Sequence, residues 1–99
     1  MTAYGIFMIR NFRHKGLEKF FRTGSRAGID SHHAGKLRTI LTALNVAGSP
    51  EQLKAPQWKL HPLEGDFAGF WSVRVDGNWR IIFRFEGEDV FDVNYLDHH

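Results

Sequence analysis

The sequence predicts an α+β domain, with helices from the first half of the chain packed on one face of a small, mainly antiparallel sheet from the second half. The first half carries two apolar stripes at the spacing of an amphipathic helix. From Trp58 onward apolar residues recur at every second position, the period of a half-buried strand. With 99 residues, 42% of them hydrophobic, the chain can build one modest core in a single domain.

The N-terminal segment predicts a short strand followed by a basic amphipathic helix. The strand covers residues 8–12. Leu17, Phe20 and Phe21 then occupy positions i, i+3 and i+4 on one face of a helix that Gly24 can end. The other face of this helix carries Lys15, Lys19 and Arg22.

A longer helix is predicted over about residues 31–46, with Asp30 or Ser31 placed to cap its start. The neighbouring histidines His32 and His33 would point roughly 100° apart on a helix, which argues against a metal site. A brief third helix is expected at residues 49–51, where Ser, Pro and Glu form a typical helix start. The apolar stripe of the longer helix consists of Leu37, Ile40, Leu41 and Leu44.

Four strand segments follow, and alternation identifies their inward-facing residues. Residues 76–78 are expected to form the turn between the second and third segments, and residues 87–89 the turn between the third and fourth. The inward residues are Trp58 and Leu60; Trp71, Val73 and Val75; Trp79, Ile81, Phe83 and Phe85; and Phe91, Val93 and Tyr95.

The turn at residues 76–78 determines which residues become cross-strand neighbours. A two-residue loop would place an inward valine opposite Arg80, so pairing apolar residues with each other requires an odd loop, with Asn78 in the left-handed conformation. Two outward arginines then face each other, an arrangement that destabilises a sheet. The expected neighbour pairs are Val75 with Trp79, Val73 with Ile81, and Arg74 with Arg80.

The same parity argument applies to the second turn. It pairs Phe85 with Phe91 and Phe83 with Val93. On the outer side it also places Arg84 opposite Asp92 and Arg80 opposite Leu96. Arg84 is therefore expected to be a neutralised structural arginine, whereas Arg74 and Arg80 remain a bare cationic pair.

The outer side of the sheet is expected to collect groups suited to phosphodiester chemistry. Arginines can hold a phosphate that gains charge in the transition state, and histidines can move protons near neutral pH. An RNA substrate supplies its own nucleophile, the 2′-hydroxyl, so the chemistry requires no cofactor, metal or protein nucleophile. The collected residues are Lys59, His61, Arg74, Arg80 and Asp97, with His98 and His99 at the chain end.

Composition limits the class of protein further. Because the chain has no cysteine, it has neither a disulfide framework nor a thiolate nucleophile. No basic region precedes an apolar run at the start, and no stretch approaches the roughly 20 apolar residues of a membrane span, so a cytoplasmic protein is expected. Residues 1–61 hold ten Lys or Arg against three acids, whereas residues 62–99 hold three against eight. The basic half is therefore the expected contact with nucleic acid.

Several linked motifs occur in a fixed order: Lys59-Leu60-His61-Pro62-Leu63-x-Gly65-Asp66, Gly69-Phe70-Trp71-Ser72, Gly77-Asn78-Trp79-Arg80 and Asn94-Tyr95-x-Asp97. Together with the opening Met8-Ile9-x-x-Phe12-x-His14-Lys15-Gly16-Leu17, they resemble the HigB toxins, also called plasmid maintenance killer proteins, of the RelE/ParE superfamily. The resemblance covers residues 8–99, which are expected to form the toxin domain, and residues 1–7 are expected to be an N-terminal extension.

The resemblance implies a RelE-like fold and a ribosome-dependent mRNA endoribonuclease that needs no cofactor. It implies inhibition by a HigA-like helix-turn-helix antitoxin, through which alone the protein would reach operator DNA. The family's functional residues correspond to His61, Arg80, Asp97 and His99. Lys59, Arg74 and His98 are expected to bind substrate.

Two positions depart from the family pattern. Glu64 stands where the family often has lysine, and His98 where it often has tyrosine. An acid near the RNA would weaken cleavage, whereas either ring at position 98 can stack on a base. These two positions keep open a catalytically weakened toxin that acts mainly as an antitoxin-binding co-repressor. A ParE-like poison of DNA gyrase is a second alternative, over which the retained site residues favour the nuclease; these residues are His61, Arg80, Asp97 and His99.

Overall fold

The computed structural model describes residues 8–97, so the expected extension at residues 1–7 and the terminal His98 and His99 lie outside the described residues. It confirms the α+β class. The helices are α1 (Lys15–Thr23) and α2 (Ala34–Ala47), and the strands are β1 (His61–Pro62), β2 (Trp71–Asp76), β3 (Trp79–Glu86) and β4 (Asp89–Asp97). The strands form one antiparallel sheet in the order β1-β2-β3-β4.

Helix α1 begins and ends at identifiable capping groups. The His14 Nδ1 accepts a hydrogen bond of 2.9 Å from the backbone N–H of Leu17, one of the donors that a helix start leaves unpaired. At the other end Gly24 adopts φ 81°, and its N–H closes on the Phe20 carbonyl at 2.8 Å. Leu17 and Phe20 are buried and Phe21 is partly buried, which confirms the predicted apolar face.

The His14 cap predicts a pH dependence of stability. Burial lowers the pKa of His14, so the unfolded chain takes up the proton more readily than the folded protein does. The contribution of His14 to the free energy of unfolding is fully present above its unfolded pKa of about 6.5. It is lost as the pH falls through the lower pKa of the folded state. We expect the melting temperature to fall between about pH 7 and pH 5. The variant His14→Asn, which keeps a capping acceptor, should flatten that fall.

The exposed neighbour His32 provides a matched control for this prediction. The variant His32→Asn should not flatten the pH dependence of melting. If His14→Asn and the wild type lose the same number of degrees on acidification, the cap does not titrate as described.

The second helical segment starts as a 3₁₀ helix. Asp30, one of the two expected caps, accepts a hydrogen bond of 2.9 Å from the His32 N–H. Residues Ser31–His33 form the 3₁₀ turn, and α2 continues to Gly48, which adopts φ 76°. The predicted brief helix is a 3₁₀ turn over Pro50–Leu53. Ser49 occupies the N-cap position and Pro50 begins the turn, as predicted, although the Ser49 side chain makes no capping hydrogen bond.

The helices pack against one face of the sheet, which we call the inner face. Trp79 is partly buried there, whereas Ile81 and Phe83 are completely buried. The predicted helical stripe is buried throughout. Of the other inward residues of the central strands, Val73 and Val75 are buried, whereas Trp71 and Phe85 are partly buried. The fully buried side chains of this core include Leu17, Leu37, Ile40, Leu41, Leu44, Leu53, Val73, Val90 and Val93.

The predicted first strand is reduced to two bridges beside β4. Ile9 pairs with Val90 and Phe12 with Val93, both in parallel orientation. This segment covers the edge of β4 as far as Val93, whose carbonyl accepts from the Arg13 N–H at 2.8 Å.

The predicted strand through Trp58 and Leu60 was wrong. Residues Pro56–Trp58 form a 3₁₀ turn, and Lys59 adopts a left-handed conformation with φ 47°. A proline at the start of the turn fixes φ and removes a backbone donor, so it favours a turn over a strand. Strand β1 begins only at His61.

The β2–β3 register confirms two of the three predicted pairs. Val73 lies opposite Ile81, and Arg74 lies opposite Arg80. The third pair was wrong, because Trp79 faces Asp76. The strand β2 contains a bulge between Arg74 and Asp76, so the extra residue predicted for the loop lies within the strand. The loop itself therefore has two residues, and Gly77, with φ 55°, takes the left-handed position expected for Asn78.

A second bulge modifies the β3–β4 register. Arg80 lies opposite Leu96 as predicted, but Phe85 pairs with Val90 and not with Phe91. The irregularity falls between Ile82 and Arg84. On the partner strand Asp92 adopts φ 58° there.

Candidate active site on the outer face of the sheet

The face of the sheet away from the helices, which we call the outer face, contains two rows of cross-strand neighbours. The first row contains His61, Ser72, Ile82 and Asn94. The second row contains Arg74, Arg80 and Leu96.

The first row is shielded from water at its centre. Ser72 is 1% and Ile82 is 2% exposed, although neither side chain faces the helices. Ile82 also lies apart from the main core. Neighbouring side chains therefore cover these two residues on the outer face.

Arg80 is the most unusual group on this face. It lies opposite Arg74 and is partly buried. Within residues 8–97, its Nη1 is the one buried side-chain nitrogen or oxygen without a hydrogen-bond partner. Folded proteins rarely leave a buried donor unpaired, since this costs about 1–3 kcal/mol. Arg80 therefore carries a positive charge with one buried donor left unpaired, and an anion bound by its guanidinium would offset the cost of that charge.

Arg84, on the same face and strand, provides the contrast. Its Nε donates to Asp92 Oδ2 at 2.8 Å, and its Nη1 forms an ion pair with Glu86. The hydrogen bonds that Arg84 donates to Glu86 and Asp92 raise the pKa of Arg84, and the bond from Arg84 lowers the pKa of Asp92. The predicted neutralisation of Arg84 by Asp92 is confirmed as an ion pair, although the bulge places Phe91 directly opposite Arg84.

His61 is exposed, and its ring is oriented by the chain itself. The Nδ1 lies 2.9 Å from the carbonyl oxygen of Lys59. A carbonyl oxygen can only accept, so Nδ1 carries the proton, and Nε2 of the neutral ring is left as an acceptor. The left-handed conformation of Lys59 belongs to the same turn. His61 thus presents a basic nitrogen at the end of the first row on the outer face.

Arg74 connects the outer face to a neighbouring groove. Its Nε donates to the Gly77 carbonyl at 3.3 Å. Arg74 also lines a groove of about 310 Å³ beside α2, together with Lys36, Gln57 and Trp58.

The other predicted site residues are placed differently. Lys59 lines a surface groove with Lys54 and Trp71, whereas Arg74 lines a different groove. Asp97 is exposed at the end of β4, opposite Trp79. Alternation places it on the side of Trp79, at the rim next to Leu96. His98 and His99 follow Asp97 beyond the described residues.

The sequence prediction did not include Ser72 and Asn94. The alternation that placed Arg74 outward also places Ser72 outward, and Asn94 beside Leu96 follows the same pattern, so this signal was present in the sequence.

The prediction also did not include the buried His33, which is 4% exposed. His33 precedes Leu37 by four residues, so it extends the buried stripe of the helix.

Two solved structures share this fold. A YoeB/ParE toxin from Agrobacterium tumefaciens has a TM-score of 0.56 at 24% sequence identity, over 93% of this chain and 95% of that chain. A YoeB dimer from Staphylococcus aureus has a TM-score of 0.56 at 13% identity, over 93% of each chain. The chain therefore has the fold of these YoeB/ParE structures.

The sequence comparisons identify the family within that class. The family described as "RelE-like toxin of type II toxin-antitoxin system HigB" matches residues 10–99. The chain is also 39% identical over 92 residues to Endoribonuclease HigB of Proteus vulgaris, covering 93% of this chain and 100% of that protein. The chain therefore belongs to the HigB-like toxin family, as the sequence motifs predicted. A toxin of a type II system has an antitoxin partner.

Proposed function

We propose that this toxin is an endoribonuclease that cuts messenger RNA on the ribosome by attack of a ribose 2′-hydroxyl on the adjacent phosphate. The observation that carries the proposal is the partly buried Arg80, whose Nη1 has no hydrogen-bond partner within residues 8–97, on the sheet face that also carries the oriented ring of His61. The relationship to Endoribonuclease HigB of Proteus vulgaris supports the choice of RNA as substrate.

In the proposed mechanism Arg80 binds a non-bridging oxygen of the scissile phosphate and stabilises the charge that develops there. The 2′-oxygen forms a bond to phosphorus while the bond from phosphorus to the 5′-oxygen breaks. The proton of the 2′-hydroxyl passes to a base, for which His61 Nε2 is suited, and the leaving 5′-oxygen takes a proton from an acid. The products are a 2′,3′-cyclic phosphate and a 5′-hydroxyl. The reaction needs no cofactor.

The remaining site residues complete the proposal. Asp97 and His99 handle protons or orient the attacking hydroxyl, and His98 stacks on a base. Arg74 binds the RNA backbone on the side of the groove that it lines, and Lys59 contacts the backbone further from the cut. The sequence-independent attraction of such cations for phosphate is expected to depend on salt.

The partners follow from the same proposal. The antitoxin is a HigA-like helix-turn-helix protein, and the toxin reaches operator DNA only in complex with it. The basic face of α1, with exposed Lys15 and Lys19, is suited to ribosomal RNA or to an acidic antitoxin segment. The site of action is the cytoplasm. Among residues 8–97 no helix has the length and apolar character of a membrane span.

The test is to map RNA 5′ ends after brief induction of the toxin in growing cells. We expect new ends within translated regions of mRNA, none of them when the antitoxin is co-expressed. Intact mRNA together with double-strand DNA breaks would instead identify a gyrase poison, and intact mRNA and DNA would identify an antitoxin-binding co-repressor.

Glu64 is the feature that favours a weakened nuclease. It is exposed and stands three residues after His61. We expect Glu64→Lys to increase cleavage by about twofold to fivefold, from the ~0.5–1 kcal/mol typical of an exposed charge interaction. The gain should shrink as ionic strength rises.

The matched control for this variant is Glu88→Lys, the same charge change in the turn after β3, at the opposite end of that strand from Arg80. Cleavage by the Glu88 variant should equal that of the wild type. If both variants gain equally, the effect belongs to net charge and not to the position of Glu64.

A further inference from the structure

Two polar aromatic residues, His33 and Tyr95, are buried together between the helices and the sheet. Each is 4% exposed. The His33 Nδ1 and the Tyr95 hydroxyl oxygen are 2.7 Å apart. The ring of Trp79 lies 4.7 Å from the Tyr95 ring and 5.7 Å from the His33 ring. We call His33, Tyr95 and Trp79 the anchor cluster. No step of the proposed reaction uses it.

The hydrogen bond between His33 Nδ1 and the Tyr95 hydroxyl is buried, and burial raises the pKa of Tyr95. On the other side of the His33 ring, Nε2 lies 3.8 Å from Asp76 Oδ2. Lys36 faces the same carboxylate at 3.7 Å. The contacts connect the start of α2, the end of β2 and the end of β4.

The position of the cluster along β4 gives it a function. The segment at residues 8–13 supports the free edge of β4 only as far as Val93. In the part of the chain that the structure describes, the last four residues of β4 have β3 on one side and no strand on the other. Tyr95 is in the middle of this stretch, and Asp97, its last residue, is paired with Trp79. The anchor cluster, together with the contact between the Tyr95 and His14 rings at 5.3 Å, therefore ties the terminal stretch of β4 to the helices.

A buried polar contact is a poor means of stabilising a core. Replacing such a pair by apolar groups of similar shape is often neutral or stabilising, because both partners lose water on burial. A hydrogen bond has, however, a defined length and direction, which an apolar contact lacks. The contact between His33 and Tyr95 is thus better suited to fixing the position of β4 than to raising stability.

We infer that His33 is a positioning residue for the cleavage reaction. By holding Tyr95 it fixes the end of β4, and with it the position of Asp97 relative to the phosphate on Arg80. This inference rests on the proposed function. Since misplacing a catalytic group by about 1 Å can cost on the order of 100-fold in rate, loss of the contact should lower the rate of cleavage and leave binding of the ribosome unchanged.

The test uses four variants of the full chain, assayed on mRNA-programmed ribosomes and by thermal melting. Tyr95→Phe and His33→Leu each leave one polar group without its partner, and each should cut roughly 10- to 100-fold more slowly, with an apparent KM for ribosomes within about twofold of the wild type. The double variant His33→Leu/Tyr95→Phe leaves no unpaired group. It should melt near the wild type and still cut slowly. His33→Asn, whose amide can replace Nδ1, should keep most of the rate.

The double variant separates positioning from stability. If its rate of cleavage recovers together with its melting temperature, the contact only stabilises the fold and the inference is wrong. Wild-type rates in both single variants would also overturn it.

Amide hydrogen exchange gives a readout that does not depend on cleavage. In Tyr95→Phe the amides of residues 94–97 should exchange faster, while those at the centre of β3 should not. If the wild type fails to cut mRNA, the proposed function is wrong, and exchange still decides whether the anchor cluster holds the end of β4. Unchanged exchange at residues 94–97 overturns the inference whatever the activity.

Discussion

The variant Arg80→Ala is expected to abolish cleavage while leaving the fold intact. Removing one preorganised donor that stabilises transition-state charge typically lowers the rate by about 10²- to 10³-fold. The melting temperature should stay the same or rise slightly, because the substitution removes a buried donor that the free protein leaves unpaired. The measurement is the rate of mRNA cleavage on translating ribosomes, with thermal melting and antitoxin binding measured on the same preparation.

Arg84→Ala is the matched control, since it removes an arginine from the same strand and face. Arg84 is bound by Asp92 and Glu86, so its loss should lower the melting temperature. Cleavage at a temperature where the variant is folded should remain near the wild-type rate. The opposite pattern, with cutting lost in Arg84→Ala and kept in Arg80→Ala, would remove Arg80 from the mechanism.

The second large effect is expected for His61→Ala. A positioned acid or base contributes about 10²- to 10⁴-fold, and the exposed ring of His61 adds little to stability. We therefore expect cleavage to fall in that range without a change in melting. Because the ring is exposed, added imidazole can reach the vacated position and should restore part of the rate.

The control for His61 is His32→Ala, which removes an exposed histidine from the helical side of the molecule. It should cut like the wild type, and imidazole should not change its rate. If imidazole leaves His61→Ala unchanged and the pH profile of cleavage is that of the wild type, His61 orients the RNA and transfers no proton.

The central register of the sheet could be predicted because one face is buried. Alternation between Val73 and Ile81 fixes the parity of the two strands, and parity alone places Arg74 opposite Arg80. The bulges could not be predicted. A three-residue loop has the same parity as a two-residue loop with a bulge, so the pattern does not decide where the extra residue lies. In the structure the extra residue lies in the bulge between Arg74 and Asp76, and Gly77 adopts the left-handed conformation in the two-residue loop.

Short segments and side-chain environments were harder to predict. Two apolar residues at spacing two are too few to indicate a strand, and Pro56 determined the local structure of the predicted strand at Trp58. The burial of Ile82 on the outer face depends on neighbouring side chains and not on strand alternation. The predicted collection of site residues on one face holds for His61, Arg74 and Arg80. The sequence resemblance indicated the family correctly from motifs distributed along the whole chain.

The most direct test of the proposed function is a reaction of the purified toxin with a defined mRNA, either free or on programmed ribosomes, followed by analysis of the new RNA ends. The proposal predicts cuts within the reading frame only when the ribosome is present, and products that end in a 2′,3′-cyclic phosphate and a 5′-hydroxyl. Intact mRNA on ribosomes incubated with the folded toxin would contradict it. Products that carry a 5′-phosphate would also contradict it, because attack by the 2′-hydroxyl cannot generate them.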